Sequence, residues 1–175
     1  MQNSVYLRMK IGLLSDTHGW LHPRIFDFFE CCDEIWHAGD IGNIETADRL
    51  NSFRPLRAVY GNIDDAKVRQ VYGNHLHFMA DELKVFITHI GGRPDNYQPA
   101  ARTELLKNPP DLFICGHSHI ALVKYDSKYN FLHINPGAAG YIGLHKIITA
   151  IRFNITGKKI HDLELIELGE REKSC

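Results

Sequence analysis

Five apolar runs in this chain each stop at a polar cluster able to bind a metal, and that repetition constrains the fold more than any bulk property. The clusters are Ser15-Asp16-Thr17-His18, Gly39-Asp40, Gly61-Asn62, Thr88-His89 and Gly116-His117-Ser118-His119. An apolar run that stops at a carboxylate or imidazole reads as a buried strand delivering its last side chain into a loop. Open α/β sheets bind ligands at those carboxyl ends. Each cluster alone has an ordinary reading. Asp16 also fits a helix N-cap, Gly39-Asp40 and Gly61-Asn62 fit turns, and His89 fits a satisfied core histidine. Gly116-His117-Ser118-His119 says more, because an extended His-x-His puts both imidazoles on one side of the chain, although a surface pair would look the same. Five strand ends offering one class of donor are not accounted for by turn chemistry. The donors are oxygen and imidazole throughout, a set suited to Mn, Fe or Zn rather than to an iron–sulfur cluster.

The intervening sequence predicts how those ends are brought together. Lys10 to Ser15, Glu34 to Ala38 and Arg57 to Tyr60 read as strands, with helices over Pro23 to Cys32 and Ile44 to Phe53 between them. That alternation implies right-handed parallel crossovers. After Asp65 the pattern turns β-rich. His75 to Ala80 and Leu83 to Thr88 form a hairpin about Asp81-Glu82, and Gly91 to Pro99 is a loop expected over the site. A helix over about Ala100 to Lys107 and a strand over Leu112 to Cys115 follow. Further strands are expected over Ile120 to Tyr125, Phe131 to Ile134, Ile147 to Ile155 and Lys159 to Leu168. The α/β beginning and β-rich end predict two packed mixed β-sheets flanked by helices, an α-β-β-α sandwich with the metals in the crevice between sheet ends.

A length of 175 residues with 44% hydrophobic content supports one domain with a real core. Residues 1 to 8 read as a loose extension, and the charged tail from Gly169 reads as frayed. The net charge of -1 argues against a polybasic face as the main source of affinity, so neither nucleic acid nor a membrane surface is an expected partner. The 4 cysteines make no disulfide framework: Cys31 and Cys32 are adjacent, Cys115 ends an apolar run and Cys175 is last. With no apolar signal segment in Met1 to Lys10, a reducing, cytoplasmic setting is expected. The sequence does not set the oligomeric state.

In order and spacing, D-x-H, G-D, G-N, a lone H and G-H-x-H resemble the calcineurin-like metallophosphoesterase superfamily, over Lys10 to about Leu168. Within it the chain looks like the small, capless bacterial and archaeal phosphodiesterases. The resemblance implies a metallo-dependent phosphatase-like fold and two divalent cations, manganese first, with Fe, Zn, Ni or Co also compatible. It places Asp16, His18 and His119 on one ion, Asn62, His89 and His117 on the other, and Asp40 across both. It further implies hydrolysis of a small organic phosphoester, by a phosphodiesterase or phosphatase, with a metal-bound hydroxide as nucleophile. Two ions about 3.5–4 Å apart stabilise both the attacking and the leaving oxygen of an in-line displacement. The alternative is a non-catalytic binding scaffold resembling the retromer subunit of the superfamily. The intact ligand set favours the enzyme.

One departure bears on mechanism. Many members carry a His directly after Gly-Asn that is thought to assist the leaving group, whereas here Ile63 and then Asp64 follow Asn62. Asp64 is a candidate general acid, a candidate partner orienting His18, or a helix N-cap. Arg93 stands in Thr88-His89-Ile90-Gly91-Gly92-Arg93, where relatives frequently have His-Gly-His. It is a candidate phosphate clamp or a solvated loop charge. Asn135-Pro136-Gly137 resembles a family loop and reads as structural support. Trp20 and Tyr97 fit either substrate stacking or packing.

Overall fold

Alternation decides which way each strand faces. Along β1 (Met9–Leu14), Ile11 and Leu13 turn to the layer between the sheets, while Leu14 packs on the opposite face with Ile25 and Phe29. The computed structural model describes residues 8–144 and 146–170. In it β1, β2 (Glu34–His37) and β3 (Leu56–Ala58) run parallel. The hairpin of β4 (His75–Ala80) and β5 (Leu83–Thr88) opens the second half, and a two-stranded ribbon of β6 (Gly92–Arg93) and β7 (Asn96–Tyr97) follows it. β8 (Leu112–Ile114) and β10 (Phe131–Pro136) run parallel to β5, with β9 (Ala121–Asp126) antiparallel on the edge. β11 (Ile147–Thr156) returns antiparallel to β1 and pairs with β12 (Lys159–Glu170).

The strand orders are therefore β12-β11-β1-β2-β3 and β4-β5-β8-β10-β9, two mixed sheets. Trp36, Ile151 and Phe153 from the first meet Val85, Leu112 and Ile134 from the second to form the central layer. On the outside of the first sheet lie α1 (Arg24–Phe28) and α2 (Ile44–Phe53), burying Ile25 and Leu50. On the outside of the second, α4 (Pro99–Lys107) buries Ala101 and Leu105 against Phe86 and Phe113. This is the expected α-β-β-α sandwich, with three parallel strands in each sheet; the carboxyl ends of β1, β2 and β3 in the first and of β5 and β8 in the second carry the polar clusters.

Five expectations need correction. The first helix ends at Phe28 rather than Cys32. Beyond it the Arg54 guanidinium takes the carbonyls of Glu30 and Cys32 at 2.6 and 2.8 Å, in place of helical donors. A short helix, α3 (Ala66–Val71), follows Asp65, whose side chain caps it by accepting from Val68 N. Gly91 to Pro99 is not plain loop but holds the β6–β7 ribbon. Gly169 and Glu170, expected in the frayed tail, pair with Ile148 and Ile147. The rest of that tail and positions 1 to 7 lie outside the described residues. Arg8, expected in the extension, bonds Asp162 at 3.2 Å. No described helix is long and apolar enough to cross a membrane.

Candidate metal centre

β1 ends at Leu14, and the chain then turns through Asp16 and His18, both with positive φ (55° and 50°). Asp40, His117 and His119 share that left-handed conformation, at 55°, 67° and 58°. Asp and His tolerate this region better than bulky residues do, and such backbone outliers concentrate at functional sites. The result is two groups of donors, Asp16 with His18 and His119, and Asp40 with His89 and His117, each with ligand atoms within 4.8 Å of one another. Asn62 joins the second group, its Oδ1 3.1 Å from His89 Nε2.

The hydrogen bonding explains why a cation fits. His89 Nδ1 lies 2.8 Å from Ala38 O, and a carbonyl only accepts, so Nδ1 carries the proton. Nε2 therefore points a lone pair at three oxygens: Asn62 Oδ1 at 3.1 Å, Asp40 Oδ2 at 3.3 Å and Asp16 Oδ1 at 3.9 Å. Lone pair against lone pair is unfavourable unless a proton or a cation lies between. Asp16 Oδ1, also 3.1 Å from His119 Nε2, and His18 Nε2 are both buried with no hydrogen-bond partner. Asp40 Oδ2 lies 3.8 Å from His18 Nε2 as well, which puts this carboxylate between the two groups. The free chain answers by titration. Burial opposes charge on His89, yet Asp40 and Asp16 raise its pKa above the ordinary value, whereas burial lowers that of His18 despite both carboxylates.

Close packing fixes the loops. A methyl on Gly61 would strike Asp40 Oδ1, which accepts from Ile63 N at 3.0 Å. Gly39 needs φ +95° and leaves room for the His89 ring. His37, which the sequence did not single out, is fully buried beneath these loops. Its Nδ1 accepts from Gly39 N at 3.1 Å, so Nε2–H donates to Thr17 Oγ1 at 2.9 Å, and Thr17 donates to Ile41 O at 2.9 Å. Burial lowers its pKa to about 4, which keeps the ring neutral and that relay intact.

Asp64 is placed differently from two of its expected roles, the helix cap and the partner of His18. Its carboxylate accepts from Gly42 N at 2.6 Å, Gly61 N at 2.7 Å and Ile41 N at 3.1 Å, tying the loop after β2 to the loop after β3. Both oxygens are taken up by these N–H groups, no bond to His18 is among them, and the helix cap is Asp65. Arg93 is exposed on β6 and lines a cavity that begins at His117. Asn135 Nδ2 supports the Gly116–His119 loop through Gly116 O at 2.9 Å and Ser118 Oγ at 3.1 Å. Tyr97 is core: its ring packs on Phe113 and its hydroxyl donates to Asp126 Oδ2 at 2.7 Å, which removes it as a stacking platform. Trp20 stands edge-on to Tyr141 and His22.

The family model for the calcineurin-like phosphoesterase superfamily domain matches residues 9–158. A probable metallophosphoesterase of Methanothermobacter thermautotrophicus is 26% identical over 166 residues, covering 92% of this chain and 94% of the relative. A phosphodiesterase of Methanocaldococcus jannaschii is 29% identical over 154 residues, covering 77% and 87%. In fold, the chain is similar to Vacuolar Protein Sorting 29 from Cryptosporidium parvum, with a TM-score of 0.73 at 16% identity, covering 95% and 99%. With five strand-end clusters meeting in one crevice and a family match spanning nearly the whole described chain, this protein belongs to the calcineurin-like phosphoesterase superfamily and is a metal-dependent phosphoester hydrolase.

Proposed function

We propose that this chain is a dinuclear-metal phosphodiesterase acting on a small organic phosphodiester. The observation that carries the reading is the convergence of oxygens on His89 Nε2 while its Nδ1–H is committed to Ala38 O. Asp16, His18 and His119 would hold one divalent cation, Asn62, His89 and His117 the other, and Asp40 both, with manganese the first candidate. When bound, such ions lower the pKa of coordinated water toward about 7 and stabilise developing charge on the phosphoryl oxygens. The chain's own part is positional: His37 and Asp64 hold the loops in register, and Arg93, on the wall of the cavity at His117, would take a phosphate oxygen by a charge-assisted bond.

Two cavities support a diester over a monoester. One of about 430 Å³ extends from His117, another of about 350 Å³ from Asn62 and His89, and Ile90 lines both. A diester has one organic group for each. With Ile63 where many members carry a His, and both oxygens of Asp64 taken up by backbone N–H groups, the rate should depend steeply on leaving-group pKa. After loading with manganese, bis(p-nitrophenyl) phosphate should be hydrolysed faster than p-nitrophenyl phosphate. A preference for the monoester would overturn the diester reading. Metal binding with no turnover of either ester would favour the scaffold alternative.

A further inference from the structure

The cavity beside His117 has two kinds of wall. Ile90, Ile120 and Leu122 make it apolar, and the first two are 40% and 68% exposed, an open apolar surface held next to a charged centre. Opposite in character are Asn96 and Gln98, whose side-chain amides bond no described residue. His133 lines the cavity too, with Nδ1 fully buried and without a partner. Burial lowers its pKa to about 4, so the ring is neutral. Arg93 is the one lining residue with a fixed charge, and no carboxylate faces the space.

These features discriminate among ester groups. A volume of about 430 Å³ lies within the roughly 300–1,000 Å³ of small-molecule sites. A methyl or ethyl ester would leave most of it empty. A lipid chain would fill it and strand the free amides against hydrocarbon, which is unfavourable. A flat heteroaromatic ring uses both walls, its faces against branched aliphatic side chains and its polar edge against the amides. The absence of acidic lining residues suits a group attached to a phosphate.

We propose that this cavity seats a nucleoside-type group, a flat heteroaromatic ring with a hydrogen-bonding edge, as one arm of the phosphodiester. The inference rests on the phosphodiesterase reading above and names the substrate class of that site.

The test pairs binding with turnover. Methyl NMR of the full chain loaded with diamagnetic Zn²⁺ should show the Ile120 and Leu122 methyl signals shifting, with saturation, on addition of thymidine 5′-monophosphate. Inorganic phosphate should leave them in place. In turnover, p-nitrophenyl thymidine 5′-phosphate and p-nitrophenyl methyl phosphate share a leaving group and differ only in the other arm. The nucleoside ester should have about a tenfold higher kcat/KM, a difference of roughly 1.4 kcal/mol. Ile120→Asp, at an exposed position on the cavity wall, should collapse that preference toward unity. Methyl signals that stay fixed, or that respond equally to inorganic phosphate, would overturn the proposal. So would equal turnover of the two esters. If neither ester is hydrolysed, the phosphodiesterase reading fails, while the methyl shifts still decide whether the cavity takes a nucleoside.

Discussion

His89 enters the centre with Nδ1 tied to Ala38 O and Nε2 set among oxygens, whereas His18 reaches it with a buried Nε2 that has no hydrogen bond. The carboxylates do not share this difference. Asp40 has Oδ1 held by Ile63 N and Oδ2 facing His89 Nε2 at 3.3 Å, and Asp16 has Oδ2 held by His117 N at 3.1 Å and Oδ1 facing His119 Nε2 at 3.1 Å. His89 is therefore oriented before any ion arrives, and His18 is not. Partners that orient a ligating imidazole are typically worth about 10–100-fold in metal affinity. The His89 group should accordingly fill first.

The largest effect expected is from Asp40→Asn, since this carboxylate stands between the groups. Metal content at both positions should fall together and activity by more than about 100-fold, beyond the usual cost of losing an orienting residue. Loss of one ion alone, read by elemental analysis, would break the symmetry assigned to Asp40.

A second test addresses the joint beneath both loops. The folded pKa of His37 is about 4, below the unfolded value of roughly 6.5, so between those values the unfolded chain binds the extra proton. Stability from this group is full above pH 6.5, declines as pH falls toward 4 and then levels, a total on the order of 3 kcal/mol. Urea unfolding of metal-free protein at pH 7 and pH 4.5 should show that loss, and His37→Gln should reduce the pH dependence. An unchanged pH profile would mean that the ring is not held neutral.

Asp64→Asn sharpens the contrast because Asp64 ties the loop that carries Asp40 to the loop that carries Asn62. An amide nitrogen facing a backbone N–H should lower stability by about 1–3 kcal/mol. Metal should be lost first at the His89 position, with equal relative rate loss on good and poor leaving groups. Selective loss on poor leaving groups would restore Asp64 as a general acid. Arg93→Ala touches neither group and should raise KM by about tenfold with metal content unchanged, since it removes one charge-assisted contact. Unaltered KM would return Arg93 to solvent.

What the sequence made legible follows from how local each signal is. α2, β4 and β5 have the boundaries their patterns predict, because a cap or a turn stands beside each: Asn43 accepts from Thr46 N, and Asp81-Glu82 closes the hairpin. α3 was hidden by its brevity, since Val68 is its only buried residue and no periodicity develops over six positions. The end of α1 is set by Arg54, far along the chain, and so leaves no local trace. Donor identity was readable at the strand ends. The left-handed backbone at Asp16, Asp40 and His117 was not, nor was the clamp made by Asp64, which depends on two loops meeting. His37 lies three residues before Asp40, but nothing in Glu34-Ile35-Trp36-His37 sets it apart from a core histidine until Thr17 appears above it. The cavity residues Asn96, Ile120 and His133 stand far apart in the chain and share no pattern.

The most direct test is anomalous diffraction from crystals of the manganese-loaded protein. Two peaks about 3.5–4 Å apart are predicted, one against Asp16, His18 and His119, the other against Asn62, His89 and His117, with Asp40 touching both. A single peak, or an Asp40 that contacts only one ion, would contradict the shared centre.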